Sequence, residues 1–253
     1  MPPPHPSALL FAANTSLGKT VLSAGLFLAA QRQNLNPMYL KPVQTGGRVV
    51  DQDSIGKWTR NTIRSRTLFA YDAPKSPHLA AREHFNSSGE RPPTGREIRD
   101  AIAANLSMDG FNIIESAGGV LSPCPDGTLQ ADVLRLVPNC RTVLVGDGQL
   151  GGISTTLTAL EALLNRGFDL VSIVIFASDA HESYFGNCGF LSAQLPTPIH
   201  RISALPNDSN VDLNDFFASN ETQKQFSMIL ANVLKGVPER GEEEDDFDNS
   251  TKK

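Results

Sequence analysis

Phe11-Ala-Ala-Asn-Thr-Ser-Leu-Gly-Lys-Thr20 decides the fold of this 253-residue chain. The apolar run Ala8 to Phe11 feeds it, and a helical pattern follows at once: Val21, Leu22, Leu26 and Ala29 or Ala30 recur along one face up to Gln33. Strand, short loop ending in Gly-Lys-Thr, then helix is the order of a phosphate-binding loop. Backbone N–H groups of such a loop converge on phosphate oxygens, and the helix N-terminus adds partial positive charge. Asn14, Thr15, Ser16, Leu17 and Gly18 form the candidate cradle, Lys19 reaches the terminal phosphates, and the Thr20 hydroxyl is placed to ligate Mg²⁺. The usual loop-opening glycine would fall at Ala12 or Ala13. Gly-Lys-Thr by itself also occurs in ordinary turns, so the reading rests on its place between a strand and a helix.

Working outward, further apolar runs alternate with amphipathic segments. Met38 to Pro42 reads as a short strand ended by proline, and Gln44 to Asp53 as a polar loop. Helices are expected over Ser76 to His84 and Gly95 to Leu106, the latter with Ile98, Ile102 and Leu106 on one face. Phe111 to Glu115, Thr142 to Gly146, Leu170 to Phe176 and Ile199 to Ser203 read as strands, with helices over Ser154 to Asn165 and Thr222 to Leu234. Continuous apolar strands interleaved with helices predict a single-domain α/β fold, a parallel sheet flanked by helices on both faces, of the P-loop NTPase type. The expected limits are a disordered lead over residues 1–6, one domain over 7–236, and an acidic tail or linker start over 237–253, where Glu242-Glu-Glu-Asp-Asp246 shows no apolar period.

Composition narrows the class. Apolar residues make up 40% of the chain, enough for a sizeable core. A formal net charge of −5 with scattered basic residues argues against nucleic-acid binding. No run approaches the roughly 20 apolar residues of a membrane span. The start, Met1-Pro-Pro-Pro-His-Pro6, resembles neither a signal peptide nor a transit helix, so a cytoplasmic protein is the default expectation, with a mitochondrial one open if a precursor is processed. Cys124, Cys140 and Cys188 show no metal-ligand spacing and read as small buried or surface thiols.

In a parallel sheet, ligands bind beyond the carboxyl ends of the strands. Those ends carry Thr15, Lys19 and Thr20; Lys41-Pro-Val-Gln-Thr-Gly46; Glu115-Ser-Ala-Gly-Gly119; and Gly146-Asp-Gly-Gln-Leu-Gly-Gly-Ile-Ser154. Mg²⁺ favours one or two carboxylates with phosphate and water, so Glu115 with Asp53 and Thr20 would suit it; a strand-end Glu also serves as a helix cap or ion-pair member. Lys41 is either a solvated charge or a second cation beside Lys19, and two cations imply more negative charge than one nucleotide brings. Leu150, Gly151, Gly152, Ile153 and Ser154 enter a helix through two glycines, either as a ready carboxylate site or as a tight turn.

Taken together these motifs resemble the dethiobiotin synthetase family. The resemblance rests on Thr15-Ser-Leu-Gly-Lys-Thr20, Lys41-Pro-Val-Gln-Thr-Gly46, Ser76-Pro-His-Leu-Ala-Ala81 and Glu115-Ser-Ala-Gly-Gly119, and runs from about Ser7 to Leu234. Ala-Asn-Thr-Ser-Leu-Gly-Lys-Thr, Leu-Lys-Pro-Val-Gln-Thr-Gly and Gly-Asp-Gly-Gln-Leu-Gly-Gly-Ile-Ser are similar to the eukaryotic branch, in which the synthetase precedes a fused diaminopelargonate aminotransferase. The resemblance implies an ATP-dependent C–N ligase that joins CO₂ to 7,8-diaminopelargonate and closes the ureido ring of dethiobiotin. One amine captures CO₂ (supplied as bicarbonate) as a carbamate, whose oxygen takes the γ-phosphoryl group. The second amine then displaces phosphate. Lys19, Lys41 and Thr15 are implied as catalytic residues, and Thr20, Asp53 and Glu115 as Mg²⁺ ligands. Lys41, Thr45, Gly118 and the Leu150 to Ser154 segment are implied on the substrate side, the last reaching across a homodimer interface.

The chain departs from the family pattern in three places. Ala12 replaces the opening glycine, Asn14 stands where bacterial members commonly carry Asp, and the bacterial adenine-reading Asn after Phe176 is absent, leaving Ser178 or Asp179. Asp51 also competes with Asp53 for the metal. Two other readings share part of the pattern: an ATPase switch of the same superfamily, and a non-catalytic scaffold packed on an aminotransferase.

Overall fold

The computed structural model describes residues 7–48, 50–60, 62–177, 181–203 and 213–235. The expected lead over 1–6, the tail over 237–253, and Ser178 and Asp179 lie outside the described residues. The elements run β1 (Ser7–Ala12), α1 (Lys19–Arg32), β2 (Met38–Thr45), α2 (Val50–Trp58), β3 (Ser65–Tyr71), α3 (Pro77–Ser88), α4 (Gly95–Asn105), β4 (Asn112–Glu115), α5 (Gln130–Leu134), β5 (Cys140–Val145), α6 (Gly152–Leu164), β6 (Leu170–Phe176), α7 (His181–Gln194), β7 (Ile199–Ile202), α8 (Asn214–Ala218) and α9 (Asn220–Leu234). The strands form one seven-stranded sheet in the order β3-β2-β4-β1-β5-β6-β7, and every strand pair is parallel.

The continuous apolar character of β1 follows from burial on both faces. Ala8, Leu10 and Ala12 turn to a core built with α1, α9 and Phe217 of α8, while Leu9 and Phe11 turn to a second core under α3, α4, α5, α6 and α7. A strand rotates successive side chains to opposite faces, so two covered faces demand apolar residues at every position. The three cysteines are free, Cys124 and Cys188 buried and Cys140 half-buried, and burial pushes the Cys124 and Cys140 thiols up to about 12 and Cys188 up to about 11.

Two sequence expectations need correction. The strand does not end at Pro42 but continues to Thr45. Because β4 accompanies β2 only over Met38–Leu40, one flank of β2 is unpaired at Pro42, and a residue without an N–H is tolerated there. The polar stretch expected to be a loop to Asp53 instead enters α2 at Val50.

The site end and the opposite end of the sheet are held differently. At the start of β1 the Ser7 amide donates to Asn139 O (3.3 Å). At the start of β5 the Arg141 guanidinium donates to the carbonyl oxygens of Asn232 and Lys235, fastening the end of α9 there. No described helix is long and apolar enough to cross a membrane.

Candidate active site

β1 lies at the centre of the sheet, between β4 and β5, so the loop after it opens where successive connections diverge to either side. Parallel pairing puts the ends of β1, β2, β4, β5 and β6 on one rim, around a cavity of about 530 Å³. Thr15, Ser16, Leu17, Gly18, Lys19 and Thr20 line one wall; Lys41, Thr45, Glu115 and Gly118 line the facing side; Phe176 and Ala177 close the end under β6.

The loop turns without the missing glycine. Ala12 is the last strand residue, packed in the core, with its carbonyl accepting from Val120 N (3.1 Å). The tight bends fall later, at Ser16 (φ 60°) and Gly18 (φ 100°). A Cβ on Gly18 would also meet the Phe176 ring at 2.8 Å, so glycine is required there and not at Ala12. Asn14 is exposed and outside the cavity lining; its Oδ1 accepts from Thr15 N (2.8 Å), which braces the loop from outside.

Glu115, 1% exposed, is the hub. Its Oε1 accepts from Lys41 Nζ (2.8 Å) and Thr20 Oγ1 (3.1 Å). Its Oε2 accepts from Ser23 Oγ (2.6 Å) and Tyr39 OH (3.1 Å). Burial alone would raise the Glu115 carboxyl, but the charge and hydrogen bond of Lys41, the Ser23 hydroxyl and the charge of Lys19 hold it below the usual carboxylate range. Burial likewise works against the Lys41 ammonium, and Glu115 and Asp51 outweigh it, raising Lys41. Lys41 Nζ reaches Asp51 Oδ2 at 2.7 Å and the Ser116 carbonyl at 3.4 Å. Lys19 donates to Gly118 O (2.6 Å). Burial and the nearby Lys41 charge lower Lys19 to about 8 against the pull of Glu115 and Asp51.

Of the residues expected at the site, Thr15, Ser16, Leu17, Gly18, Lys19, Thr20, Lys41, Thr45, Glu115 and Gly118 meet around the cavity. Asp53 does not. Residues two apart on a helix point about 200° from each other, so α2 can aim only one of its two aspartates inward. Asp51 takes that place, and Asp53 is exposed. The segment from Leu150 to Ser154 also lies outside the cavity lining: Leu150 is 92% exposed, while Gly152 is buried at the start of α6. Just before it, Asn187 of α7 donates to Asp147 O (3.3 Å) and Gln149 O (2.7 Å), pinning the loop whose Asp147 and Gln149 do line the cavity.

Ser23 and Tyr39 are the functional neighbours that motif reading passes over. Their positions carry a signal: Ser23 follows Thr20 by three on one helix, and Tyr39 precedes Lys41 by two on one strand, so each shares a face with a motif residue. Among the described residues no cluster of three His, Cys, Asp or Glu forms a metal cage. The hard oxygen donors of Thr20, Glu115 and Asp51 nonetheless suit a cation of the Mg²⁺ type, which takes one or two carboxylates and completes its shell with phosphate and water.

Residues 7–213 match the model of a family described as an AAA domain. Over 90% of its length the chain is 32% identical to the bifunctional dethiobiotin synthetase/7,8-diamino-pelargonic acid aminotransferase, mitochondrial, of Oryza sativa subsp. japonica, and covers 34% of that protein. Over 70% of its length it is 36% identical to the bifunctional dethiobiotin synthetase/adenosylmethionine-8-amino-7-oxononanoate aminotransferase of Emericella nidulans, covering 23% of it. The chain thus spans about a third of the first of these relatives and about a quarter of the second. It is 33% identical, over 67% of its length, to the ATP-dependent dethiobiotin synthetase BioD of Brucella abortus, and covers 73% of that shorter protein. Among solved structures, the signal recognition particle receptor FtsY from Elizabethkingia anophelis in complex with GDP superposes with a TM-score of 0.50 at 12% identity, covering 93% of this chain and 65% of that one, a likeness of fold alone. By the extent of the family match and by its coverage of the single-function relatives, the chain belongs to the dethiobiotin synthetase family of AAA-domain proteins.

Proposed function

We propose that this chain is an ATP-dependent dethiobiotin synthetase, a C–N ligase acting on 7,8-diaminopelargonate and CO₂. The observation that carries the reading is the second cation: beyond the phosphate loop and Lys19, the cavity holds a buried Lys41 fixed between Glu115 and Asp51. A nucleotide alone needs no such group, whereas a carbamate meeting a γ-phosphate brings two anionic groups together. Lys19 and the loop amides neutralise the phosphates, Lys41 stands where the carbamate oxygen approaches, and Thr15 and Thr45 border the diamine end. The reaction needs little side-chain proton transfer; these residues position the partners and screen charge.

The formal charges of Lys19, Lys41, Glu115 and Asp51 cancel, so a triphosphate entering this set favours company by a divalent cation. Thr20, Glu115 and Asp51 would hold Mg²⁺, which supplies charge neutralisation on the phosphates. The exposed Leu150 and the lack of a side-chain cap at Gly151 support the expectation that a second copy of the chain completes the diamine carboxylate site. The names of the plant relatives favour the mitochondrial over the cytoplasmic expectation and make an aminotransferase a candidate partner or fusion.

The test is phosphate release from Mg-ATP with and without 7,8-diaminopelargonate and bicarbonate, with dethiobiotin followed by mass. Release that requires both additions and equals dethiobiotin formed is the expected result. Release indifferent to the diamine points to an ATPase switch, and no release to a scaffold.

A pH dependence follows from Lys19. Its ammonium is half lost near pH 8 in the unliganded protein, and bound phosphate raises that value by charge attraction. ATP affinity is therefore flat below about pH 8 and weakens up to tenfold per pH unit above it, with protons taken up on binding. Calorimetry in buffers of different ionisation enthalpy reads the uptake directly; binding that is unchanged from pH 7 to 9.5 would remove Lys19 as the phosphate cation.

A further inference from the structure

Gln44 sits three residues beyond Lys41 on β2, 5% exposed, on the wall of the same cavity. Its Nε2 donates to Thr45 O (2.9 Å), and its Oε1 is buried with no partner. Flipping the amide does not relieve this, because it would set two carbonyl oxygens against each other. The Thr45 carbonyl thus fixes which end of the amide is left over. A buried acceptor without a donor is costly, and native proteins retain few of them. Among the described residues Ser116 Oγ, Thr142 Oγ1 and Gln225 Oε1 share this state, but only Gln44 lines the cavity. The terminal torsion of a glutamine is soft, and a modest turn presents the oxygen to a ligand.

The missing partner has to be a donor. The neighbouring cations are spoken for, Lys41 by Glu115 and Asp51, and Lys19 by Gly118. Resting on the synthetase reading, we propose that Gln44 Oε1 accepts an N–H of the substrate amine that is not carboxylated, making Gln44 a specificity-determining residue for the diamine. A neutral amide suits that task better than a carboxylate. The second amine must attack with its lone pair: its nitrogen bonds to the carbonyl carbon, the C–O bond to phosphate breaks with its electrons on phosphate, and the amine proton passes to water. An amide oxygen orients the amine, whereas a carboxylate would hold it as the unreactive ammonium.

Gln44→Leu and Gln44→Glu test this through steady-state kinetics, ATP binding without diamine, and thermal melting. Gln44→Leu is expected to lower kcat/KM for the diamine on the order of tenfold, the loss of one hydrogen bond to a polar ligand group, with ATP affinity unchanged. Gln44→Glu is expected to move the rate profile to higher pH. A folded Gln44→Leu with wild-type kcat/KM for the diamine, or one that weakens ATP equally, overturns the assignment. Should that variant not fold, the wild type decides with the 7-amino and 8-amino pelargonates as competitors: one of them must bind on the order of tenfold more weakly than the diamine, and equal affinity of all three overturns the proposal. A wild type that makes no dethiobiotin removes the synthetase reading, and this proposal with it.

Discussion

Lys41→Met is expected to lose on the order of 10² or more in kcat, the scale of one strong donor at developing charge, and about 3–5 kcal/mol of stability, the scale of breaking a buried ion pair from one side. The side chain keeps its length but leaves Glu115 buried without its hydrogen-bonded counter-charge, served by the hydroxyls of Thr20, Ser23 and Tyr39 and by the charge of Lys19 alone. Burial, which Lys41 now outweighs, then pushes the Glu115 carboxyl up. The sign of the resulting pH effect is definite. A carboxyl whose folded-state value lies above its unfolded value binds more protons when folded, so the variant gains stability as pH falls through that raised value. Wild-type Glu115, held low, behaves oppositely and loses its contribution on acidification. Urea melts from pH 4 to 8 separate the two slopes. Lys41→Met/Glu115→Gln should recover much of the stability while turnover stays low, because neutralising the orphaned charge does not restore the cation. A single variant with normal turnover and wild-type stability would take Lys41 out of both roles.

Gly152→Ala should have the next largest effect. A Cβ there would lie 2.1 Å from Asp147 O, 2.8 Å from its carbonyl carbon and 2.9 Å from Asn187 Nδ2. Two of those atoms are backbone, so the start of α6 must move away from the end of β5. Overpacking of this kind costs about 1–3 kcal/mol. The displaced loop carries Asp147 and Gln149, which line the cavity, and a shift of about 1 Å in a positioned site costs on the order of 10² in rate. Gly151 is the control. A Cβ there meets nothing within 4 Å, and only its φ of 86° opposes a side chain. Gly151→Ala should therefore lose stability through backbone strain of about 1–2 kcal/mol and, because Asp147 and Gln149 stay in place, disturb ATP affinity much less than Gly152→Ala does. Melting temperature and ATP affinity measured for both variants check this; equal affinities would show that the loop gives way freely.

How much was legible depended on where each element lies. The inner strands β1, β4, β5 and β6 announce themselves because burial on both faces leaves each with a continuous apolar run. The edge strand β3, Ser-Arg-Thr-Leu-Phe-Ala-Tyr, does not: only Tyr71 is fully buried, and its polar start reads as loop. Helix α2 hides for a related reason, burying only Ile55 and Gly56, too little for a period to show. That omission left Asp51 and Asp53 undivided, and the helical turn is what puts Asp51 on the cavity and Asp53 in solvent. At the site, Lys19, Thr20, Lys41 and Glu115 stand in motifs, and their meeting follows from parallel strand ends. Ser23 and Tyr39 reach Glu115 through the face each shares with a motif residue, and the unpaired Oε1 of Gln44 depends on its surroundings, matters that need the third dimension.

The fastening of Ser7 and of the end of α9 at the far end of the sheet has one more consequence. A six-residue strand is about 20 Å long, so these two anchors lie a strand's length from the cavity rim, and a mechanical pull on Ser7 or on the end of α9 would be borne by the floor of the sheet before it reached the site.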